Sequence, residues 1–176
     1  TSGGFVIDGI DGVRHPQEIK KRVNVITGGE RNIYWRLTGR ENLAYFGALY
    51  NIPKTILKER IGQLISLVKL EESADTPVEK YSKGMKQRLQ IARGLINDPK
   101  YLFLDEPTLG LDIAIAKELR AYIRDLAREH DRGILLTTHY ITEVEELCDR
   151  VYLINKGRVI KTGAPHELIQ LAQMGV

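Results

Sequence analysis

Tyr101-Leu102-Phe103-Leu104 is an unbroken apolar run that stops at Asp105-Glu106-Pro107. A short run without polar alternation is expected of a central parallel strand buried on both faces. Parallel neighbours need crossover connections, so such a strand obliges the rest of the chain to alternate strands with helices. Gly4-Phe5-Val6-Ile7-Asp8-Gly9 is expected as a strand closed by turns, Val23 to Thr27 as another before Gly28-Gly29, and Ile134 to Thr138 as a third that ends at His139. The fold class that follows is α/β around a mainly parallel sheet. A length of 176 residues makes one domain the default and is enough for a sizeable core.

Helices are placed by caps and periodicity. Thr38-Gly39-Arg40-Glu41 has the form of a capping box, in which the Thr hydroxyl accepts from the third helical N–H and the Glu reaches back. The helix it opens carries Leu43, Phe46 and Tyr50 on one face and ends at Asn51-Ile52-Pro53. A second helix sets Leu57, Ile61, Leu64, Ile65 and Val68 at helical spacing, so residues 38 to about 97 are expected to form a mainly helical subdomain. Ser82 is placed to cap a third helix, with Met85, Leu89, Ala92 and Ile96 on one face and Lys86, Gln90 and Arg93 on another. Ser82 has two readings: a cap worth about 1 kcal/mol, or an anion site at a helix amino terminus, where Gly84 lets the backbone approach a phosphate.

The acid pair points toward the second reading. Asp105 and Glu106 stand at the carboxyl end of a strand, where open α/β sheets bind ligands. Adjacent carboxylates there can divide labour, one holding a hydrated cation and one polarising water, although acids in this position can also simply cap a turn. After Leu109-Gly110-Leu111-Asp112 comes a helix with Ile115, Leu119, Ile123 and Leu126 on one face. The following strand brings His139 to the same rim as the acids. A histidine in a polar turn is otherwise merely solvated.

Several classes drop out on composition. Hydrophobic residues make up 43% and charged residues 28% of the chain, which excludes a disordered or low-complexity protein. The single cysteine, Cys148, excludes an internal disulfide and a cysteine-cluster zinc site, and reads as a buried filler or a reactive thiol. No apolar run approaches the roughly 18 residues that span a bilayer. A formal charge of +3 makes no nucleic-acid footprint, so no nucleic-acid partner is expected, and Lys20-Lys21-Arg22 is a solvated face.

In order and spacing these segments resemble the ATP-binding subunit of ABC transporters, over Thr1 to about Gln173. Tyr81 to Met85 resembles the signature loop, with Ser82 and Gly84 matching. Tyr101 to Glu106 resembles the Walker B strand, Leu109 to Asp112 the D-loop, and His139 the switch histidine. The tail from Glu145 to Gly163 is similar to drug-efflux and other exporter-type subunits. The resemblance implies ATP and Mg²⁺ as cofactors, with Asp105 holding Mg²⁺ through water and Glu106 as general base for the water that attacks the γ-phosphate. It further implies that His139 touches that phosphate, and that Ser82, Gly84 and Asp112 contact nucleotide where a second ATPase subunit closes. Partners would be that second subunit and a transmembrane permease subunit, with the chain peripheral on the cytoplasmic face of the membrane.

Two departures accompany the resemblance. The family's phosphate loop, G-x-x-x-x-G-K-[ST], is absent, since no glycine in the chain is followed by lysine. Together with Thr1 as first residue and the lack of a signal peptide, this leads us to expect a single, incomplete ABC ATPase domain of the P-loop NTPase type over 1–176, truncated at its amino end. No glutamine occurs between Gln17 and Gln63, where the family places one, and Glu30 offers an oxygen there instead. Tyr34-Trp35 is expected to pack either on a membrane partner or on the helical block. The function implied is coupling of ATP hydrolysis to export. The alternatives are an ABC-like ATPase acting on ribosomes or DNA, and a binding or scaffold module without turnover.

Overall fold

The computed structural model describes residues 3–27, 33–129 and 132–173. The turn at Gly28-Gly29-Glu30 and the first two residues lie outside the described residues. The chain opens with a small antiparallel hairpin of β1 (Val6–Ile7) and β2 (Ile10–Asp11), then α1 (Pro16–Arg22) and β3 (Val23–Thr27). The strand expected within residues 4–9 is only two residues long, and the turn at Asp8 (φ 51°) and Gly9 (φ 76°) closes it. Helix α1 was not foreseen, although Pro16 fits its first turn and Lys20, Lys21 and Arg22 its last, complementing the helix dipole.

Helices α2 (Gly39–Leu49), α3 (Lys54–Leu67) and α4 (Lys83–Gly94) come next. The Thr38 capping box is present in both directions, Glu41 N donating to Thr38 Oγ1 at 3.1 Å and Thr38 N to Glu41 Oε2 at 2.8 Å. Leu57, Ile61, Leu64, Ile65 and Val68 are buried together with Leu43, Leu89, Ile91 and Ile96. Tyr50 lies past the end of α2 and is exposed, so the stripe on that helix is shorter than expected. Tyr34 packs edge-on against Tyr45 (4.7 Å between centroids), and the Lys86 ammonium sits 4.5 Å above the Trp35 ring. The aromatic pair thus rests on the helical block while leaving about half its surface exposed.

Helix α4 departs from its amphipathic reading. Lys86, Gln87 and Gln90 are buried alongside Leu89 and Ala92, because α4 runs between the other helices and β3 and has little free face. Its close approach to the strand depends on Gly94: a Cβ there would meet Ile26 Cγ1 at 2.3 Å. Arg93, on the same helix, donates to the Val25 carbonyl (3.2 Å).

The sheet continues with β4 (Tyr101–Asp105) and, after α5 (Ile113–Glu129), β5 (Gly133–Thr137). All three strands are parallel in the order β3-β4-β5. One face, carrying Ile26, Leu102 and Leu104, is buried with Leu119, Ile123 and Leu126 of α5. The other is open: Val25 and Leu135 are 48% and 54% exposed, and Phe103 is only half-buried. The expectation of a strand buried on both faces is therefore corrected: the β1 region borders this second face and leaves it partly exposed. The chain ends in α6 (Ile141–Leu147), an antiparallel hairpin of β6 (Val151–Asn155) and β7 (Arg158–Gly163), and α7 (Pro165–Gln173). Cys148 is half-buried, and burial, reinforced by Asp149 and Glu143, pushes its thiol above its ordinary value, which favours the filler reading. Among the described residues no helix is long and apolar enough to cross a membrane.

Candidate functional site

Register builds the site. Thr27 pairs with Asp105 and Asp105 with Thr137, so three polar side chains stand side by side where the parallel strands end. Thr137 Oγ1 donates to Asp105 Oδ1 at 2.5 Å and fixes the carboxylate. Immediately after β4, Glu106 takes φ 48°, a left-handed conformation that a residue with a Cβ adopts only when its surroundings impose it. The Glu106 N–H donates to the Thr137 carbonyl (3.0 Å) and its own carbonyl accepts from Leu109 N (3.1 Å), which closes a tight turn. This turn aims the Glu106 carboxylate at His139: Nδ1 lies 2.8 Å from Oε1. The second oxygen, Glu106 Oε2, is buried and has no protein partner, and Thr27 Oγ1 at the end of β3 is in the same condition. Buried polar atoms are rarely left so.

The structure thus brings Asp105, Glu106 and His139 together and gathers Ser82, Gly84 and Asp112 elsewhere. Ser82 Oγ accepts from Met85 N (3.2 Å) as the cap of α4, and Asp112 Oδ1 accepts from Ile115 N (3.0 Å) at the start of α5. Gly84 joins these two helix starts, since a Cβ on it would meet Ile115 Cδ1 at 2.7 Å. Helix packing therefore already requires this glycine, whatever else it does. Sequence reasoning missed Thr27 and Thr137, although threonines at the ends of adjacent parallel strands would have located them.

As for a cation, among the described residues no group of three or more His, Cys, Asp or Glu side chains is placed to hold a metal. Exposed Asp105, with one oxygen already engaged by Thr137, fits Mg²⁺ that keeps most of its water and takes its other ligands from phosphates, the ordinary habit of this ion.

A mixed α/β domain with a parallel sheet, a carboxylate pair at its carboxyl edge and a histidine against the second carboxylate defines an ATP-handling domain. The chain belongs to the ABC transporter ATP-binding subunits, which are ATPases: the ABC transporter family model matches residues 1–109. It is 41% identical over 170 residues to the ABC transporter ATP-binding protein NatA of Bacillus subtilis, a match covering 97% of this chain and 69% of NatA. It is 47% identical over 137 residues to a fluoroquinolones export ATP-binding protein of Mycobacterium tuberculosis, covering 78% of this chain and 44% of that protein. A Nod factor export ATP-binding protein of Ralstonia nicotianae is 41% identical over 155 residues, 88% of this chain and 48% of its own. The chain therefore spans less than half the length of these two export proteins. Among solved structures, cbiO1 of Clostridium perfringens, part of the ABC transporter complex cbiONQ, superposes with a TM-score of 0.86 at 25% identity, over 99% of this chain and 70% of that one.

Proposed function

We propose that the chain is part of a subunit that hydrolyses ATP to drive export through a transmembrane permease subunit. In this reading it works in a pair with a second ATPase subunit and sits peripherally on the cytoplasmic face of the membrane. The observation that carries the proposal is the rim itself: a buried carboxylate oxygen, Glu106 Oε2, with no protein partner, beside a histidine held at 2.8 Å from the other oxygen. Relatives named for export support the outward direction in this reading.

Phosphoryl transfer to water is catalysed mostly by positioning and charge stabilisation. The Glu106 carboxylate accepts a proton from the attacking water, and the turn at φ 48° fixes its position. His139, at the end of β5, orients Glu106 and reaches the terminal phosphate. Asp105, fixed by Thr137, would hold a hydrated Mg²⁺, whose charge would offset that of the phosphates. Ser82, Gly84 and Asp112, gathered at the starts of α4 and α5, face the nucleotide of the second subunit when the pair closes. The phosphate loop that cradles the remaining phosphates is not encoded in these residues.

The test is Glu106→Gln in the full-length subunit, with ATP retention and phosphate release measured together. The amide keeps the shape and loses the basicity, so nucleotide is retained while release falls by about 10² to 10⁴. Release at the parental rate would make the acid pair structural and remove Glu106 from the catalytic role.

A further inference from the structure

Glu143 is the most deeply buried carboxyl group described, at 0% exposure, and lies in the first turn of α6, four residues beyond His139. It accepts a hydrogen bond from the hydroxyl of Thr108, itself only 5% exposed and two residues beyond Glu106. Its other oxygen, Oε2, has no partner. Burying a carboxyl group with one neutral donor is costly, and an apolar pair of similar shape would hold the same helix at less expense.

The location suggests what is gained. The turn 106–109 is closed at one end by the Glu106 backbone and at the other by Leu111 N donating to the Thr108 carbonyl (3.0 Å). On the other side, Tyr140 N donates to Thr138 Oγ1 (3.1 Å), Glu143 N donates to the Tyr140 carbonyl (3.1 Å), and the His139 ring lies against Tyr140 at 4.1 Å between centroids. Beside the Glu106–His139 contact itself, the Thr108–Glu143 hydrogen bond is thus a buried side-chain tie between the turn that carries Glu106 and the segment that leads from His139 into α6. A second tie holds α6, the Arg120–Glu146 ion pair to α5 at 2.8 Å, but it lies at the far end of the helix and is half-exposed.

We infer that Thr108 and Glu143 are positioning residues, a buried clamp that keeps the His139 imidazole registered on Glu106 and so sets the rate of ATP hydrolysis. The inference rests on the catalytic reading of Glu106 and His139 above. Neither Thr108 nor Glu143 touches substrate.

The experiment uses the full-length subunit and compares Thr108→Val, which keeps the shape and loses the donor, with Thr108→Ser, which keeps the donor and loses a methyl group. Thr108→Val lowers kcat by between about 10- and 100-fold, as a displacement of the order of 1 Å at a reacting group does, and leaves KM for ATP within about twofold. Thr108→Ser recovers most of the turnover. A purely structural role predicts the reverse order, with Thr108→Ser the poorer enzyme, and that result overturns the inference.

A cycle with His139→Ala gives the second reading. If the clamp acts through the histidine, Thr108→Val costs nothing further in the His139→Ala background, whereas additive losses overturn it. Glu146→Ala, which breaks only the outer tie, is the control and leaves kcat at the parental value. A drop equal to that of Thr108→Val would mean that general support of α6 is all that matters. If His139→Ala alone leaves turnover unchanged, the catalytic reading has failed and not merely the clamp. Should Thr108→Val not fold, Glu143→Gln, which still offers an oxygen to Thr108, must hold at least half the parental kcat for the inference to stand.

Discussion

The two ends of the parallel sheet are built from the same strands and treat their carboxylates differently. At the amino end, Asp8 accepts from Tyr101 Oη (2.5 Å), Lys100 Nζ (3.1 Å) and Arg22 Nη1 (3.1 Å). Next to it, Arg132 donates to the Pro99 carbonyl and to Asp98 Oδ1 (2.6 Å), pinning the start of β5 to the loop before β4. The carboxylates there are paired with cations, although Arg132 Nε is buried without a partner and Asp8 and Asp98 stand at φ 51° and 52°. At the carboxyl end, Thr27 Oγ1 and the carboxylate oxygen Glu106 Oε2 are buried without partners. A hydroxyl and a carboxylate oxygen left free on one rim are groups that a ligand can satisfy. The amino end therefore carries stability and the carboxyl end carries chemistry, and substitutions at the two ends should separate these properties.

Glu106→Gln should produce the largest effect. In addition to the loss of turnover expected above, its melting temperature should match the parent within about one degree, because among the described residues its side chain bonds to exposed His139 alone, and Gln can keep that bond. A variant that loses turnover and several degrees together would erase the distinction between the ends. The mirror image is Arg132→Met. It removes both donors to the loop before β4 and should lower stability by about 1–3 kcal/mol in denaturant titration, with kcat unchanged.

How much of this contrast was legible before the structure depends on the range of the interaction. Thr38 and Glu41, or Ser82 and Met85, are three residues apart and bond within one helical turn, so spacing alone reveals them. Asp105, Glu106 and His139 were found because residues that end adjacent parallel strands must share a rim. Register then put Asp105 level with Thr137. The open face of β4 was not foreseen, because an apolar run reports that a residue prefers burial and not that a covering element is present. Lys86, Gln87 and Gln90 broke the helical pattern for a related reason: α4 is enclosed on more than one side, and periodicity assumes a free face. The pairs Thr108–Glu143 and Asp8–Tyr101 span 35 and 93 residues and carry no local signal.

A smaller effect is expected from Asp105→Asn at the carboxyl end. Its proposed partner is the hydrated cation and not the attacking water, so the change should appear in the Mg²⁺ concentration needed for half-maximal turnover. That concentration should rise on the order of tenfold, with saturating Mg²⁺ restoring most of the rate. A loss of kcat that Mg²⁺ cannot restore would assign Asp105 to the chemical step, and equal division of labour between the two acids would then be the better description.

The smallest effect, and the finest test of the contrast, belongs to Asp8 at the amino end. The hydrogen bond from Tyr101 first, then that from Lys100, holds its carboxyl below the ordinary aspartate range, and the same contact with Asp8 holds the Lys100 ammonium above the ordinary lysine range. For an acid whose value is depressed on folding, the contribution to stability is present above the unfolded value and is lost as pH falls through the folded one. For a base whose value is raised, it is present below the unfolded value and lost as pH rises through the folded one. Asp8→Asn removes the acid and with it the main partner of the base. The difference in melting temperature between parent and variant should therefore form a plateau across neutral pH, narrow below the ordinary aspartate range, and narrow again above the ordinary lysine range. Both groups are open to solvent, so the plateau should be low and should shrink further in high salt. Turnover at neutral pH should not change. A difference that persists unchanged into strong acid would mean that Asp8 acts through the hairpin's geometry, where its φ of 51° is also altered by no substitution that keeps the turn, and the amino end would then owe its stability to backbone shape instead of charge.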